Sequence, residues 1–170
     1  MGAFTVRRAS VADVRHVARH RAEMFGDMGR LPRELYQPLV EQTVRFLETA
    51  MPREEYVGWL AAPADAPETI IGGAGVQLRR TLPHPTHEGE KRLVSGRQGI
   101  VLNVYTEREW RKRGVARRLM EEVIEWARGS GLETLVLHAA PDGRPLYEHL
   151  GFVQTNEMRY AGELARPEVT

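Results

Sequence analysis

Cysteine is missing altogether from this chain of 170 residues. Its absence excludes disulfides, thiolate metal sites and a cysteine nucleophile, and it fits a reducing compartment, so a cytoplasmic protein is expected. No apolar run approaches the roughly 20 residues that a membrane span requires, and no basic, apolar signal segment opens the chain, so no membrane partner is expected. Net charge is nearly absent too. The 24 Lys and Arg balance 23 Asp and Glu, which leaves no global electrostatic footprint of a nucleic-acid binder. Two nucleotide signatures fail on spacing. There is no G-x-x-x-x-G-K-[ST], and Gly72-Gly-Ala-Gly75 does not complete G-x-G-x-x-G, because Leu78 stands in the last position. Those glycines read instead as a bulge or as close packing in a strand. His84 and His87, with Glu88 beside them, define no third ligand, so no metal site is expected.

What is present is an ordinary globular composition, 42% hydrophobic and 28% charged, over a length that suits one domain spanning residues 1–170. Phe4 to Arg8 alternates in polarity and predicts a strand. Ser10 caps a helix from Val11 to about Glu23, which Met24-Phe-Gly-Asp-Met-Gly29 then breaks. Pro32 opens a second helix through about Ala50. Tyr56 to Ala62 and Thr69 to Leu78 predict a hairpin of strands. Residues 80–97 show no periodicity and read as a long loop. Gly99 to Thr106 is a strand, Val115 to about Arg128 a strongly amphipathic helix, and Thr134 to His138 another strand. A short helix from Pro145 to Leu150 is stopped by Gly151. Phe152 to Gln154 and Met158 to Ala161 predict a terminal pair of strands, followed by a tail (163–170) prone to fray.

The most informative stretch joins one of these strands to the amphipathic helix. Leu102-Asn-Val-Tyr-Thr106 empties into a basic turn, Arg111-Lys-Arg-Gly114-Val-Ala116, and the helix begins at once. Such a turn aims several backbone N–H groups and a helix N-terminus at one spot, an arrangement that suits a phosphate or pyrophosphate. Gly114 can take a positive φ and lets a ligand approach the backbone. Six of the eleven residues from Arg108 to Arg118 are basic, which adds long-range attraction for an anion. Glutamates flank them and aromatics for base stacking are few, so no nucleic-acid partner is expected.

This turn resembles the acetyl-CoA-binding motif of the GCN5-related N-acetyltransferase (GNAT) family. Leu146-Tyr-Glu-His-Leu-Gly-Phe152 resembles the family's second signature, and Val6-Arg-Arg-Ala-Ser-Val-Ala-Asp13-Val14 its usual opening. The resemblance implies a mixed α/β (α+β) fold. Its mostly antiparallel central sheet would have about seven strands and a splayed parallel pair, flanked by about four helices. It implies acetyl-CoA as co-substrate, held through Arg111, Lys112, Arg113, Gly114, Val115, Ala116 and Arg117. It further implies that the strand from Leu102 splays away from Thr134 to His138, so that backbone groups of Asn103, Val104 and Thr106 face the pantetheine arm. Dimers are common among proteins that this chain resembles, so a homodimer is one expected assembly.

The reaction so implied is acetyl transfer to a primary amine of a small molecule or peptide. The absence of cysteine leaves direct attack in a ternary complex as the simpler route. By the resemblance Tyr147 protonates the departing thiolate, and a phenol of pKa about 10 is protonated at neutral pH. The acceptor must lose a proton as well, since an amine of pKa about 10.4 is neutral only about once in 2,500 molecules at pH 7. Many relatives carry a glutamate on the strand before the turn, where this chain has Asn103. His138, at the end of the facing strand, is therefore the candidate base. The asparagine that relatives carry ahead of the tyrosine is also missing, since the run reads Ala140-Pro-Asp-Gly143-Arg-Pro-Leu-Tyr147. Met24, Phe25 and Met28, with the loop 80–97, are the candidate acceptor wall. A catalytically silent acyl-CoA-binding module is the alternative reading.

Overall fold

Residues 3–85 and 92–162 are described by the structure, a computed structural model. The chain runs β1 (Phe4–Arg8), α1 (Val14–Asp27), α2 (Tyr36–Ala50), β2 (Tyr56–Pro63), β3 (Gly72–Arg80), β4 (His84–Pro85), β5 (Leu93–Val94), β6 (Arg97–Thr106), α3 (Val115–Gly129), β7 (Thr134–Leu137) and α4 (Arg144–His149). The main sheet has the order β1-β2-β3-β6-β7, antiparallel throughout except for the parallel pair β6-β7. No helix among the described residues is long and apolar enough to cross a membrane.

Two apolar faces account for the layers. β2 is buried along its whole length, because its alternate residues serve opposite cores. Val57, Trp59 and Ala61 pack with Val115, Leu119, Met120 and Val123 of α3 on one face. Tyr56, Leu60 and Ala62 pack with Val14, Val17 and Ala18 of α1 and with Val44 and Leu47 of α2 on the other. The start of α1 is fixed by charge: Asp13 accepts from the amide and hydroxyl of Ser10 and from both guanidinium nitrogens of Arg7. These bonds, the Arg7 pair foremost, hold its carboxyl well below the usual carboxylate range.

Three expectations need correction. The main sheet has five strands, not about seven, because residues 152–162 form no strand. The apolar residues of that segment, Val153, Met158 and Tyr160, are mostly exposed, and the polar run Gln154 to Glu157 between them leaves no face worth burying. Secondly, α1 does not break at Met24 but continues to Asp27. Gly26 costs a helix only about 1 kcal/mol, and the turn comes instead at Gly29, whose φ is 65°. Thirdly, β3 begins at Gly72 and runs to Arg80, and the loop after it contains the short β4-β5 pair. His87, Glu88 and the tail 163–170 lie outside the described residues.

The glycine run does serve close packing. A Cβ on Gly75 would lie 1.8 Å from the Tyr56 hydroxyl, and one on Gly72 would lie 2.9 Å from the Tyr105 carbonyl. The β3-β6 register shifts between Gly73 and Gly75, where Gly73 faces Tyr105 and Gly75 faces Leu102. The extra residue therefore lies on β6, a β-bulge with Asn103 at φ 57°. Asparagine is among the few side chains that tolerate this left-handed backbone.

Candidate active site

The bulge reverses which way β6 points its side chains. Val101 belongs to the α3-side core, and simple alternation would send Asn103 and Tyr105 there too. Instead Asn103 reaches the α1 side, accepting from Arg21 Nη1 at 2.7 Å and donating to the Tyr56 hydroxyl at 3.0 Å. Tyr105 stacks at 5.0 Å on His20 of α1, while Val104 packs on the α3-side core. On its outer edge, β6 pairs with β7 only from Gln98↔Thr134 to Val101↔Leu137. Beyond Val101 the ladder between the two strands ends, and β6 residues 102–106 have no strand partner on that side among the described residues. The side-chain hydroxyl of Thr106, buried at the end of this stretch, has no partner among the described residues.

Past Thr106 the chain makes one tight turn, closed by hydrogen bonds from Trp110 N to Glu107 O and from Arg111 N to Arg108 O. Lys112 (φ 60°) and Gly114 (φ 85°) are then both left-handed, the alternation that gathers successive N–H groups into a concave nest. Gly114 is the N-cap of α3 and offers no capping side chain. The first amide of this helix with a backbone acceptor is that of Arg118, bonded to Gly114 O at 3.0 Å. The amides of Val115, Ala116 and Arg117 have none among the described residues, and they point out of the N-terminus with the helix dipole behind them. A Cβ placed on Gly114 meets nothing within 4 Å, so the approach to those amides is open.

The basic side chains of the turn divide. Arg111 is turned inward: its Nε donates to Thr106 O at 3.0 Å, its Nη2 pairs with Asp27, and its guanidinium lies over the Tyr105 ring. Arg113 lies over the Trp110 ring. Lys112 and Arg117 are exposed and have no ion partner among the described residues. Arg111 thus braces the turn, and Lys112 and Arg117 are exposed cations beside the nest.

Tyr147 lies on α4, half-buried against the α3-side core and edge-on to Phe152 at 6.0 Å. Gly151 (φ 92°) ends α4, letting Phe152 N turn back to Tyr147 O at 3.0 Å and fixing the pair. Burial pushes the Tyr147 phenol up from its ordinary value, so it stays protonated at neutral pH. His138 follows the last residue of β7. It is exposed, and its Nε2 lies 2.7 Å from Glu157 Oε1. Arg144, in the segment that lacks the family asparagine, is bonded to Glu148 and Gln154.

Of the expected acceptor wall, Met24 and Phe25 are half-buried and Met28 is 42% exposed. Phe25 lies between the guanidinium groups of Arg21 and Arg30. The polar cluster beside them went unread in the sequence. Glu107 accepts from Arg19 Nη2 at 2.5 Å, lies 3.5 Å from His20 Nε2, and is reached by the Tyr105 hydroxyl at 3.5 Å. Asp27 is paired with Arg108 and Arg111, so the end of α1 is tied to the basic turn. Glu23 accepts from the Tyr36 hydroxyl at 2.6 Å. Burial raises the Tyr105 phenol, and the negative charges of Glu107, Asp27 and Glu23 add to the rise. The spacing of Arg19, Glu23 and Asp27, four residues apart on α1, was the available signal. No group of His, Asp or Glu among the described residues has the arrangement of a metal site.

Comparison with known proteins places this geometry. The family model described as "Acetyltransferase (GNAT) family" matches residues 23–152. A GCN5-related N-acetyltransferase from Ralstonia eutropha JMP134 is 26% identical and superposes with a TM-score of 0.80, covering 93% of this chain and 97% of its own. A predicted acetyltransferase from Clostridium acetobutylicum, solved with acetyl-CoA, is 24% identical (TM-score 0.75, 94% and 96% covered) and shares the fold. So does glucosamine-6-phosphate N-acetyltransferase from Arabidopsis thaliana, at 14% identity (TM-score 0.65, 94% and 98% covered). No curated protein sequence matches the chain.

Proposed function

The chain belongs to the acetyltransferase (GNAT) family, and we propose that within it the protein transfers the acetyl group of acetyl-CoA to a primary amine of a small molecule or peptide, by direct attack in a ternary complex. One observation carries this reading: the uncapped N-terminus of α3, opened by left-handed Lys112 and Gly114, follows a strand whose outer edge is unpaired beyond Val101 among the described residues. Anion-binding amides and amide-binding strand edge follow each other in the order that a pyrophosphate and a pantetheine arm require. The solved Clostridium neighbour with acetyl-CoA supports the choice of donor.

Acetyl-CoA supplies an acyl group already activated as a thioester. On this reading the amides of Val115, Ala116 and Arg117, with the Lys112 and Arg117 side chains nearby, hold its pyrophosphate, and Arg111 keeps their turn in shape. The β6 backbone at Asn103, Val104 and Thr106 aligns the arm, and the Val104 amide polarises the carbonyl. A nitrogen–carbon bond forms as the carbon–sulfur bond breaks, the thiolate takes a proton from Tyr147, and the amine gives one up. For that last proton His138 is the acceptor we assign. It stands across the gap from β6, and Glu157 on Nε2 fixes the ring and leaves Nδ1 to accept.

A catalytically silent acyl-CoA-binding module is the second reading. It is favoured by Asn103, which holds the place of a family glutamate and is engaged with Arg21 and Tyr56. Thiol release from acetyl-CoA over a panel of amines separates the two. With an accepted amine, Tyr147→Phe should slow turnover by about a hundredfold or more, with KM for acetyl-CoA little changed. An unaltered rate and pH profile would remove Tyr147 as the acid. No release with any amine, despite acetyl-CoA binding, would establish the silent module.

A further inference from the structure

Among the described residues, only two side chains keep buried polar atoms without a hydrogen bond, His20 and Thr106. Such atoms are rare, because each has given up water without a replacement. His20 at least has a charged neighbour, since its Nε2 lies 3.5 Å from Glu107 Oε1. The Thr106 hydroxyl is answered by nothing. Alternation beyond the bulge puts Thr106 on the same face as Val104, which packs on the α3-side core. Its cross-strand partner there is Gly72, which has no side chain to offer. On the outer side the β6-β7 ladder has already ended at Val101↔Leu137. The residue is pinned nonetheless, because its carbonyl accepts from Arg111 Nε at 3.0 Å and Arg111 is paired with Asp27. Its place in the fold is equally specific. A Cβ on Gly72 would lie 2.9 Å from Val115 Cγ1, so the Gly72–Thr106 pair lies under the first turn of α3. That turn carries the amides of Val115, Ala116 and Arg117, which have no backbone acceptor among the described residues.

We infer that the Thr106 hydroxyl is a cofactor contact in its own right, donating to a phosphate oxygen of the acetyl-CoA pyrophosphate where the nest meets the open edge of β6. The inference rests on the acetyl-CoA reading and deepens it, adding one side chain to a site otherwise built from backbone. A hydroxyl has a single proton to donate, and a bond to a charged oxygen is stronger than one to a neutral carbonyl. That difference favours the phosphate over the carbonyls of the arm. The residue as a whole is only half-buried, so one staggered step about χ1 turns the hydroxyl toward a group lying along the edge. Without cofactor the same hydroxyl costs stability, and its contribution is confined to the loaded protein.

Thr106→Val keeps the shape of the side chain and removes only the hydroxyl, and two measurements on it should move in opposite directions. In a melt of the cofactor-free protein, the midpoint should stay level or rise by up to about 2–4 °C, because an unmatched hydroxyl is gone. In calorimetric titration, affinity for acetyl-CoA should fall about tenfold. Thr106→Ser, which returns the hydroxyl, should restore most of that affinity. Two fragments locate the contact: adenosine diphosphate carries a pyrophosphate without the arm, and S-acetylpantetheine carries the arm without a phosphate. The valine variant should weaken the first by the same factor and leave the second unchanged. A loss confined to S-acetylpantetheine overturns the assignment to phosphate. Equal affinity of wild type and valine variant for acetyl-CoA, or affinity that falls together with the melting midpoint, overturns the contact altogether. A wild type that binds adenosine diphosphate through Thr106 and does not bind acetyl-CoA upholds the phosphate contact and rejects the acetyltransferase reading instead. Binding of neither overturns both.

Discussion

Two turns in this molecule gather backbone N–H groups around a left-handed glycine, and only one of them is closed. Between β5 and β6, Gly96 (φ 81°) lets the amides of Ser95, Gly96 and Arg97 converge on the Glu133 carboxylate at 2.6–2.9 Å. Between β6 and α3, Gly114 (φ 85°) opens a similar nest, and no carboxylate of the described chain enters it. The physics is common to both, since clustered N–H dipoles favour an anion. The difference lies in who supplies the anion. Where the chain provides its own, the turn is a clasp. Where it provides none, and a Cβ would meet only empty space, the turn is left open, as the proposed cofactor site requires.

The strongest way to break this comparison is to supply the missing anion. Gly114→Glu places a carboxylate at the α3 nest, in competition with the cofactor's pyrophosphate. Like-charge contact and lost hydrogen bonds should lower acetyl-CoA affinity by at least about a hundredfold. The left-handed backbone itself costs about 1–2 kcal/mol of stability. Calorimetric titration with acetyl-CoA, beside a circular-dichroism melt, separates the two effects. Undiminished affinity in a folded variant would show that the nest is not the phosphate site.

The opposite pattern is expected at the clasp. A Cβ on Gly96 would lie 2.1 Å from the Thr81 carbonyl oxygen, and that backbone is held by Thr81 N donating to Gly96 O at 2.7 Å. Gly96→Ala should therefore lose about 2–5 kcal/mol, the left-handed cost of about 1–2 added to about 1–3 for displaced packing. The folded fraction should bind acetyl-CoA as the wild type does. Urea unfolding and the same titration read both quantities. A Gly96→Ala protein with native stability, or with cofactor binding lost at native fold, would erase the distinction between the turns.

Sequence made one of these turns far more legible than the other, and the reason is physical. The α3 nest is local: a strand end, two left-handed residues and an amphipathic helix lie within fifteen residues from Leu102 to Ala116. Backbone conformation leaves its trace in glycine and in hydrophobic period, so turn, helix and strand all show in the letters. The clasp joins Ser95 to Glu133, 38 positions apart, and nothing local marks that glutamate. The same separation hid the polar cluster between α1 and β6. Arg19–Glu107, Arg21–Asn103 and Asp27–Arg111 span 88, 82 and 84 positions, and only the folded sheet brings them together. Asn103 was legible as a departure from the family pattern, but its part in a bulge that turns Tyr105 toward α1 was not. The expected terminal strands erred the other way, since Val153, Met158 and Tyr160 are too few to bury a face and stay mostly exposed.

The smallest effect sharpens the comparison by titration. Burial would raise the Glu133 carboxyl, but bonds from Ser95, Arg97 and Gly96 outweigh it and hold the group at about 2. A carboxyl depressed in the folded state stabilises the fold above its unfolded pKa and loses that contribution as pH falls toward the folded one. The clasp is thus fully effective above pH about 4.5 and dissolves between there and pH about 2. Glu133→Gln removes the titrating group while keeping its shape. The gap in stability between wild type and variant should be widest at neutral pH and should close over that window. The group is partly exposed, so the gap is a modest one that solvent screening reduces further. A gap that stays constant down to pH 2 would mean that Ser95, Gly96 and Arg97 bind the side chain's shape and not its charge. Charge would then no longer set the filled turn apart from the open one, and the open turn's preference for a phosphate would have to rest on Lys112 and Arg117 instead of on its amides.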